Sequence, residues 1–272
     1  MNSPHQSGFE QGLAALPEAL REIARMHWAE IAPQLERSGR SGWQASAAKV
    51  LACSEFVARA CLSRPGLLAE LIDSGDLQRA ASPVESADRM RAALADCVDE
   101  LALKGALRRL RQREMVCIAW RDISGWANLD ETVHALSALA EVCLDGAQKK
   151  LREWAVARDG VPRATDSKAP AQWVVLGMGK LGGQELNFSS DIDLIFAYSD
   201  EGETDKRGLS NHEFFVRLGQ RLNQALDEAT ADGFVFRVDM RLRPYGDSGP
   251  LVMSFAALEG YLVEQGDRKS VV

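Results

Sequence analysis

Asp191 and Asp193 stand two residues apart at the head of an apolar run, Asp191–Tyr198. A β-strand repeats its side-chain direction every second residue, so both carboxylates leave one face, with backbones roughly 6–7 Å apart. Flanking Ile192, Leu194, Ile195 and Phe196 mark the strand as buried. Two like charges held this close in apolar surroundings need compensation, and a hard divalent cation with oxygen ligands supplies it. The pattern points to a metal site and to chemistry on a phosphate.

A second segment, Phe234–Leu242, reads as a strand of the same kind. Val238, Met240 and Leu242 alternate with Asp239, Arg241 and Arg243, and Pro244 ends it. Paired beside the first strand, it would bring Asp239 to Asp191 and Asp193, three carboxylates around one or two Mg²⁺ ions. Arg241 and Arg243 would then stand where guanidiniums fork onto phosphate oxygens. The same residues also suit an ordinary ladder of cross-strand Asp–Arg pairs.

Upstream lies the turn Gly177-Met-Gly179-Lys180-Leu-Gly182-Gly183, between an apolar strand (Trp173–Leu176) and a short helix. Free backbone N–H groups at such a turn cradle phosphates, although a tight turn without a ligand has the same composition. The glycine spacing formally matches a dinucleotide fingerprint. A crossover to a parallel strand needs at least ten to twelve residues, and only seven separate Gly183 from Asp191. A dehydrogenase reading fails on that count. A Walker loop fails because Leu181 follows Lys180.

The elements that must position these groups fall into two regions. Residues 1–160 read as successive helices. One apolar stripe runs Val133, Leu136, Ala140, Cys143, Ala147, Leu151 and Trp154; a second joins Leu94, Val98, Leu101, Leu107 and Leu110; a third spans Ala47–Leu62. Breaks are expected at Arg64-Pro65-Gly66, Ser82-Pro83 and Ser124-Gly125. The polar stretch Arg158–Pro170 places a boundary before a catalytic α/β domain, residues 171–266. Within it, Phe214, Phe215, Leu218, Leu222 and Leu226 share one helix face, and Leu251–Phe255 forms a last strand before a helix to about Gln265. The fold class is therefore α+β: an all-α N-terminal region, then a mixed-sheet domain.

Composition narrows the functions. With 272 residues, 46% of them hydrophobic, the chain can bury one large core or two smaller ones. A net charge of −7 argues against a general nucleic-acid binder, and the basic run Arg108, Arg109, Arg111, Arg113 fans around a helix as a solvated or salt-bridged surface. Five cysteines without a CxxC read as reduced core thiols. Four scattered histidines offer no zinc spacing. No signal pattern and no long apolar run is visible, so no membrane partner is expected and a cytoplasmic location is.

A strand, a Gly-x-Gly turn, eleven residues, Asp-x-Asp and a distant third Asp together resemble the polymerase-β-type nucleotidyltransferase superfamily over about Trp173–Phe255. Leu176–Phe196 and Asp232–Leu251 look more closely like the bacterial glutamine synthetase adenylyltransferase family, and Leu107–Asp122 resembles its N-terminal helical region. The resemblance implies Asp191, Asp193 and Asp239 as catalytic and metal-holding acids. It implies Gly177, Gly179, Lys180, Ser190, Arg241 and Arg243 as the phosphate- and nucleotide-binding set. The cofactor implied is Mg²⁺; the partners are glutamine synthetase as protein substrate, phosphate, ADP and ATP, and the PII signalling protein in the full-length family.

By the family's domain order the chain resembles the adenylyl-removing half, which releases AMP from an adenylylated tyrosine by phosphorolysis and yields ADP. Attachment of AMP from ATP uses the same kind of centre, and a docking module without turnover is the reading from another class. After Gln265-Gly266 the family continues with an Arg-Asp-Trp-Glu-Arg-type segment, whereas residues 267–272 diverge. A fragment or truncated product is expected from that difference.

Overall fold

Short polar side chains decide where the helices of the first half begin. The Ser54 hydroxyl accepts the Val57 N–H at 3.2 Å, and Asp99 Oδ1 accepts the Ala102 N–H at 2.8 Å. Each cap satisfies a donor that a continuous helix would have used otherwise, and so starts a new one. The stripe expected over Ala47–Leu62 is therefore two helices. The stripe expected from Leu94 to Leu110 is broken as well, and Val98 and Leu101 face solvent.

The computed structural model describes residues 4–35 and 39–265; the divergent segment 267–272 lies outside them. Five helices come first: α1 (Pro4–Ala14), α2 (Glu18–Ile31), α3 (Gln44–Cys53), α4 (Glu55–Ser63) and α5 (Leu67–Ser74). Then follow α6 (Pro83–Ala95) and two long helices, α7 (Glu100–Ser124) and α8 (Leu129–Asp159). Two units are distinct. One comprises Met1–Ser86 with Leu110–Leu136, the other Ala87–Arg109 with Ser137–Val272. The division passes through α6, α7 and α8, within the part of the sequence that reads as uniformly helical.

The first unit is held by aromatic packing. Phe9 stacks on Trp28 at 4.4 Å between ring centres, Trp43 meets Trp120 edge-on, and Trp120 Nε1 donates to Ser46 Oγ at 2.8 Å. Arg113 belongs to this interior. It is 4% exposed and bonds Glu70, Asp76 and Glu114. The basic run is thus partly internal rather than a surface, because carboxylates on the same unit neutralise it.

In the second unit, β1 (Pro162–Ala164) pairs antiparallel with β4 (Gly202–Thr204). The main sheet is mixed. β2 (Trp173–Met178), followed by the single turn α9 (Gly179–Gly182), runs antiparallel to β3 (Ile192–Tyr198). On the other edge of β3, β5 (Val238–Asp239) and β6 (Val252–Ser254) both pair in parallel. Helix α10 (Asn211–Asp227) starts at Ser210, whose hydroxyl accepts the Glu213 N–H, and α11 (Phe255–Gln265) follows β6. This is the α+β arrangement expected of a nucleotidyltransferase. The antiparallel β2–β3 pair also excludes a Rossmann unit, whose first two strands run parallel.

One face of β3 is sealed. Phe215 of α10 stacks on Tyr198 and Trp173 at 5.2 and 5.5 Å, and Gly219 sits so close that a Cβ there would lie 2.9 Å from the Phe196 ring. With residues of that parity committed to the core, Asp193 must emerge from the opposite face. Among the described residues no helix is long and apolar enough to cross a membrane.

Candidate active site

The site begins where β2 runs out. Gly179 has φ +53°, and a Cβ at that position would lie 2.4 Å from Asp193 Oδ2. Only glycine lets the backbone turn here and leaves room for the carboxylate against it. Met178 is the cross-strand partner of Asp193 on one side, and Asp239 is its parallel partner on the other. Asp191, two residues earlier, precedes the strand. Together with Gly179, Lys180, Asn187, Ser189 and Ser190, the three acids line an open cavity of about 430 Å³.

The acids do not share one environment. Burial raises the Asp193 carboxyl above the usual carboxylate range, and the negative charges of Asp239 and Asp191 add to it. Asp239 moves the other way: hydrogen bonds from the Arg241 guanidinium and from the Arg241 backbone N–H hold it low. Asp191 accepts from Arg237 Nε at 2.5 Å. Two guanidiniums therefore neutralise the outer acids, while the Asp193 carboxylate receives no hydrogen bond among the described residues.

Whether this donor set suits a divalent cation turns on Asp193. A carboxylate raised first by burial and then by two neighbouring negative charges is the arrangement that a hard cation relieves, and three carboxylates are the oxygen ligands it takes. The residues fit. Among the described residues no three acidic, histidine or cysteine side chains are already drawn into one ligand set.

Of the residues singled out from the sequence, Gly179, Lys180, Ser190, Asp191, Asp193 and Asp239 are brought to the cavity. Lys180 Nζ lies 3.5 Å from Ser190 Oγ, and Ser190 donates to Asn187 Oδ1 at 2.7 Å. Gly177 sits within β2, where a Cβ would press on Leu181 at 3.1 Å. Arg241 lies over Asp239. Arg243 is not brought to the cavity; its guanidinium donates to the carbonyls of Met240, Asp247 and Gly249 and shapes that loop.

The expected strand Phe234–Leu242 needs correction, since only Val238–Asp239 pair. Before them, the N–H groups of Val235 and Phe236 go to the Leu226 carbonyl at the end of α10. After them, Asp239 Oδ1 captures the Arg241 N–H at 2.8 Å and turns the chain away from the ladder. Sequence reasoning missed Arg237. Its Nε holds Asp191, and its Nη2 donates to the Ser189 carbonyl at 2.6 Å. The signal was available, because Arg237 lies two residues before Asp239 and shares its parity.

A family model described as glutamate-ammonia ligase adenylyltransferase matches residues 44–268. The chain belongs to this family. The match to the glutamate-ammonia ligase adenylyltransferase family takes in α3 to α11 and every residue lining the cavity. Among curated relatives, the bifunctional glutamine synthetase adenylyltransferase/adenylyl-removing enzyme of Thioalkalivibrio sulfidiphilus is 52% identical over 93% of the chain and 26% of its own length. The proteins of the same name from Nitrosococcus oceani and Pseudomonas aeruginosa are 53% and 52% identical over 80% of the chain, covering 23% and 22% of theirs. The chain thus spans about a quarter of the length of these adenylyltransferase relatives.

Proposed function

We propose that this centre removes AMP from an adenylylated tyrosine of glutamine synthetase by Mg²⁺-dependent phosphorolysis, yielding ADP. The observation that carries the reading is the parallel register of Asp193 beside Asp239, with Asp191 two residues upstream, against a glycine turn. Carboxylates from two separate segments then face one cavity. The names of the relatives supply the substrate and both directions of transfer. The removing direction rests on the family's domain order.

An oxygen of inorganic phosphate attacks the α-phosphorus in line, the bond to the tyrosyl oxygen breaks, and the proton carried in by phosphate ends on the phenol. A divalent cation, when bound, offsets negative charge on the non-bridging and leaving oxygens. Asp191, Asp193 and Asp239 would hold it. Lys180 and the turn at Gly179 line the cavity where the phosphates would sit, and Arg241 adds a guanidinium beside Asp239. Such chemistry depends on positioning and electrostatics, so no covalent nucleophile is required.

The test is ADP release from adenylylated glutamine synthetase with and without inorganic phosphate. Phosphate-dependent ADP is expected, reduced at least about 10²–10³-fold by Asp193→Asn. Transfer of radiolabel from ATP to unmodified glutamine synthetase, with no ADP release, would reverse the assigned direction. Absence of both products with binding retained would leave the docking module.

A further inference from the structure

The two guanidiniums at the outer acids are anchored differently. Arg237 is tied both to Asp191 and to the Ser189 carbonyl, so it fastens the loop before β3. Arg241 has no second anchor among the described residues. Its Nε lies 3.0 and 2.8 Å from Asp239 Oδ1 and Oδ2, its Nη2 lies 2.5 Å from Oδ2, and every hydrogen bond of its side chain goes to that carboxylate. The Arg241 side chain is 73% exposed, against 14% for Asp239.

This geometry has two consequences. With both oxygens turned to one guanidinium, Asp239 has its bidentate edge occupied, so a cation that chelates through that edge competes with the fork. The fork is nevertheless cheap to open, because the exposed side chain gives up no packing when it swings. The backbone bond from the Arg241 N–H to Asp239 Oδ1 keeps the residue beside that carboxylate after its side chain lets go.

Resting on the acids as a divalent-cation centre, we propose that Arg241 is a displaceable counter-ion. The arriving cation evicts its guanidinium from Asp239 and delivers it to phosphate oxygens, so that cation and inorganic phosphate bind cooperatively through this one side chain. Each ligand then raises the affinity for the other by the same factor. For a guanidinium as exposed as this one the competition amounts to about 1.5- to 5-fold.

The test is Mn²⁺ binding to the chain itself, followed by the electron paramagnetic resonance signal of free Mn²⁺, with and without inorganic phosphate. In the wild type, phosphate is expected to tighten Mn²⁺. Arg241→Gln is expected to bind Mn²⁺ about 1.5- to 5-fold more tightly without phosphate and to lose the enhancement by phosphate. Arg241→Lys keeps the charge but not the fork, and is expected to resemble Arg241→Gln in the absence of phosphate. If Arg241→Lys behaves as the wild type, net charge alone is at work and the displacement is overturned. It is overturned equally if Arg241→Gln leaves the enhancement intact or weakens Mn²⁺. Asp193→Asn separates the two levels: Mn²⁺ binding that this variant abolishes supports the centre even if the Arg241 variants are inert. A wild type that binds no Mn²⁺ at millimolar concentration sinks both.

Discussion

Substituting Gly179 by alanine puts a methyl group 2.4 Å from Asp193 Oδ2, a full ångström short of ordinary contact at 3.4 Å. Asp193 is fixed by its two neighbouring strands, so its carboxylate rather than its backbone has to yield. A misplacement of about 1 Å costs an enzyme on the order of 10²-fold in rate, equivalent to about 2.7 kcal/mol of barrier. The substitution also places a non-glycine residue at φ +53°, which costs about 1–2 kcal/mol of stability. Gly66→Ala separates the two effects, because Gly66 has φ +89° with no heavy atom near the added methyl. Both variants are expected to lower the urea midpoint, and only Gly179→Ala to lower phosphate-dependent ADP release, by about 10²-fold. A Gly179→Ala variant whose rate stays within threefold of the wild type would show that the carboxylate has slack, and the reasoning from close approach would fail.

Asp193→Asn should gain stability while it loses activity. A carboxyl raised in the folded state opposes folding wherever it is ionised, so the neutral amide raises the urea midpoint at pH 7, and a lowered midpoint would contradict the charge balance described here. Arg237→Ala, which frees Asp191 and the Ser189 carbonyl together, is expected to cost about 10- to 100-fold in Mn²⁺ affinity, partly restored by lysine; an unchanged affinity would make the contact incidental. Arg108→Met leaves buried carbonyls without donors and should destabilise by at least about 3 kcal/mol, read from denaturant curves. Burial pushes the Cys61 and Cys117 thiols up to about 12, leaving about one thiolate in 10⁴ at pH 8, whereas Cys53 is exposed. One thiol should therefore react quickly with Ellman's reagent, and rapid reaction of two or more in the native protein would contradict the packing.

The parts of the fold visible in the sequence are those governed by periodicity. The apolar face of α10, the run of β3 and the alternating acids on it follow from side-chain direction alone. Capping was harder to read, since Ser54 and Asp99 interrupt stripes that are continuous in hydrophobicity. Alternation over Phe234–Leu242 suggested a full strand. It could not show that the Leu226 carbonyl and the Asp239 carboxylate take the backbone N–H groups on either side of β5. Arg108 and Arg113 were the least legible. A cluster of arginines gives no sign in one dimension that carbonyls and carboxylates distant in sequence will enclose it.

Arg108 decides how short a working piece of this protein can be. Its guanidinium donates to the carbonyls of Lys104, Ala225, Glu228 and Gly233, and so holds the loop that leads from α10 into Asp239. A clone begun at Trp173 would carry all three acids yet lack the side chain on which that loop is hung. A piece that keeps this anchor must reach back to Arg108, and with the start of its helix to Glu100, some seventy residues before Trp173.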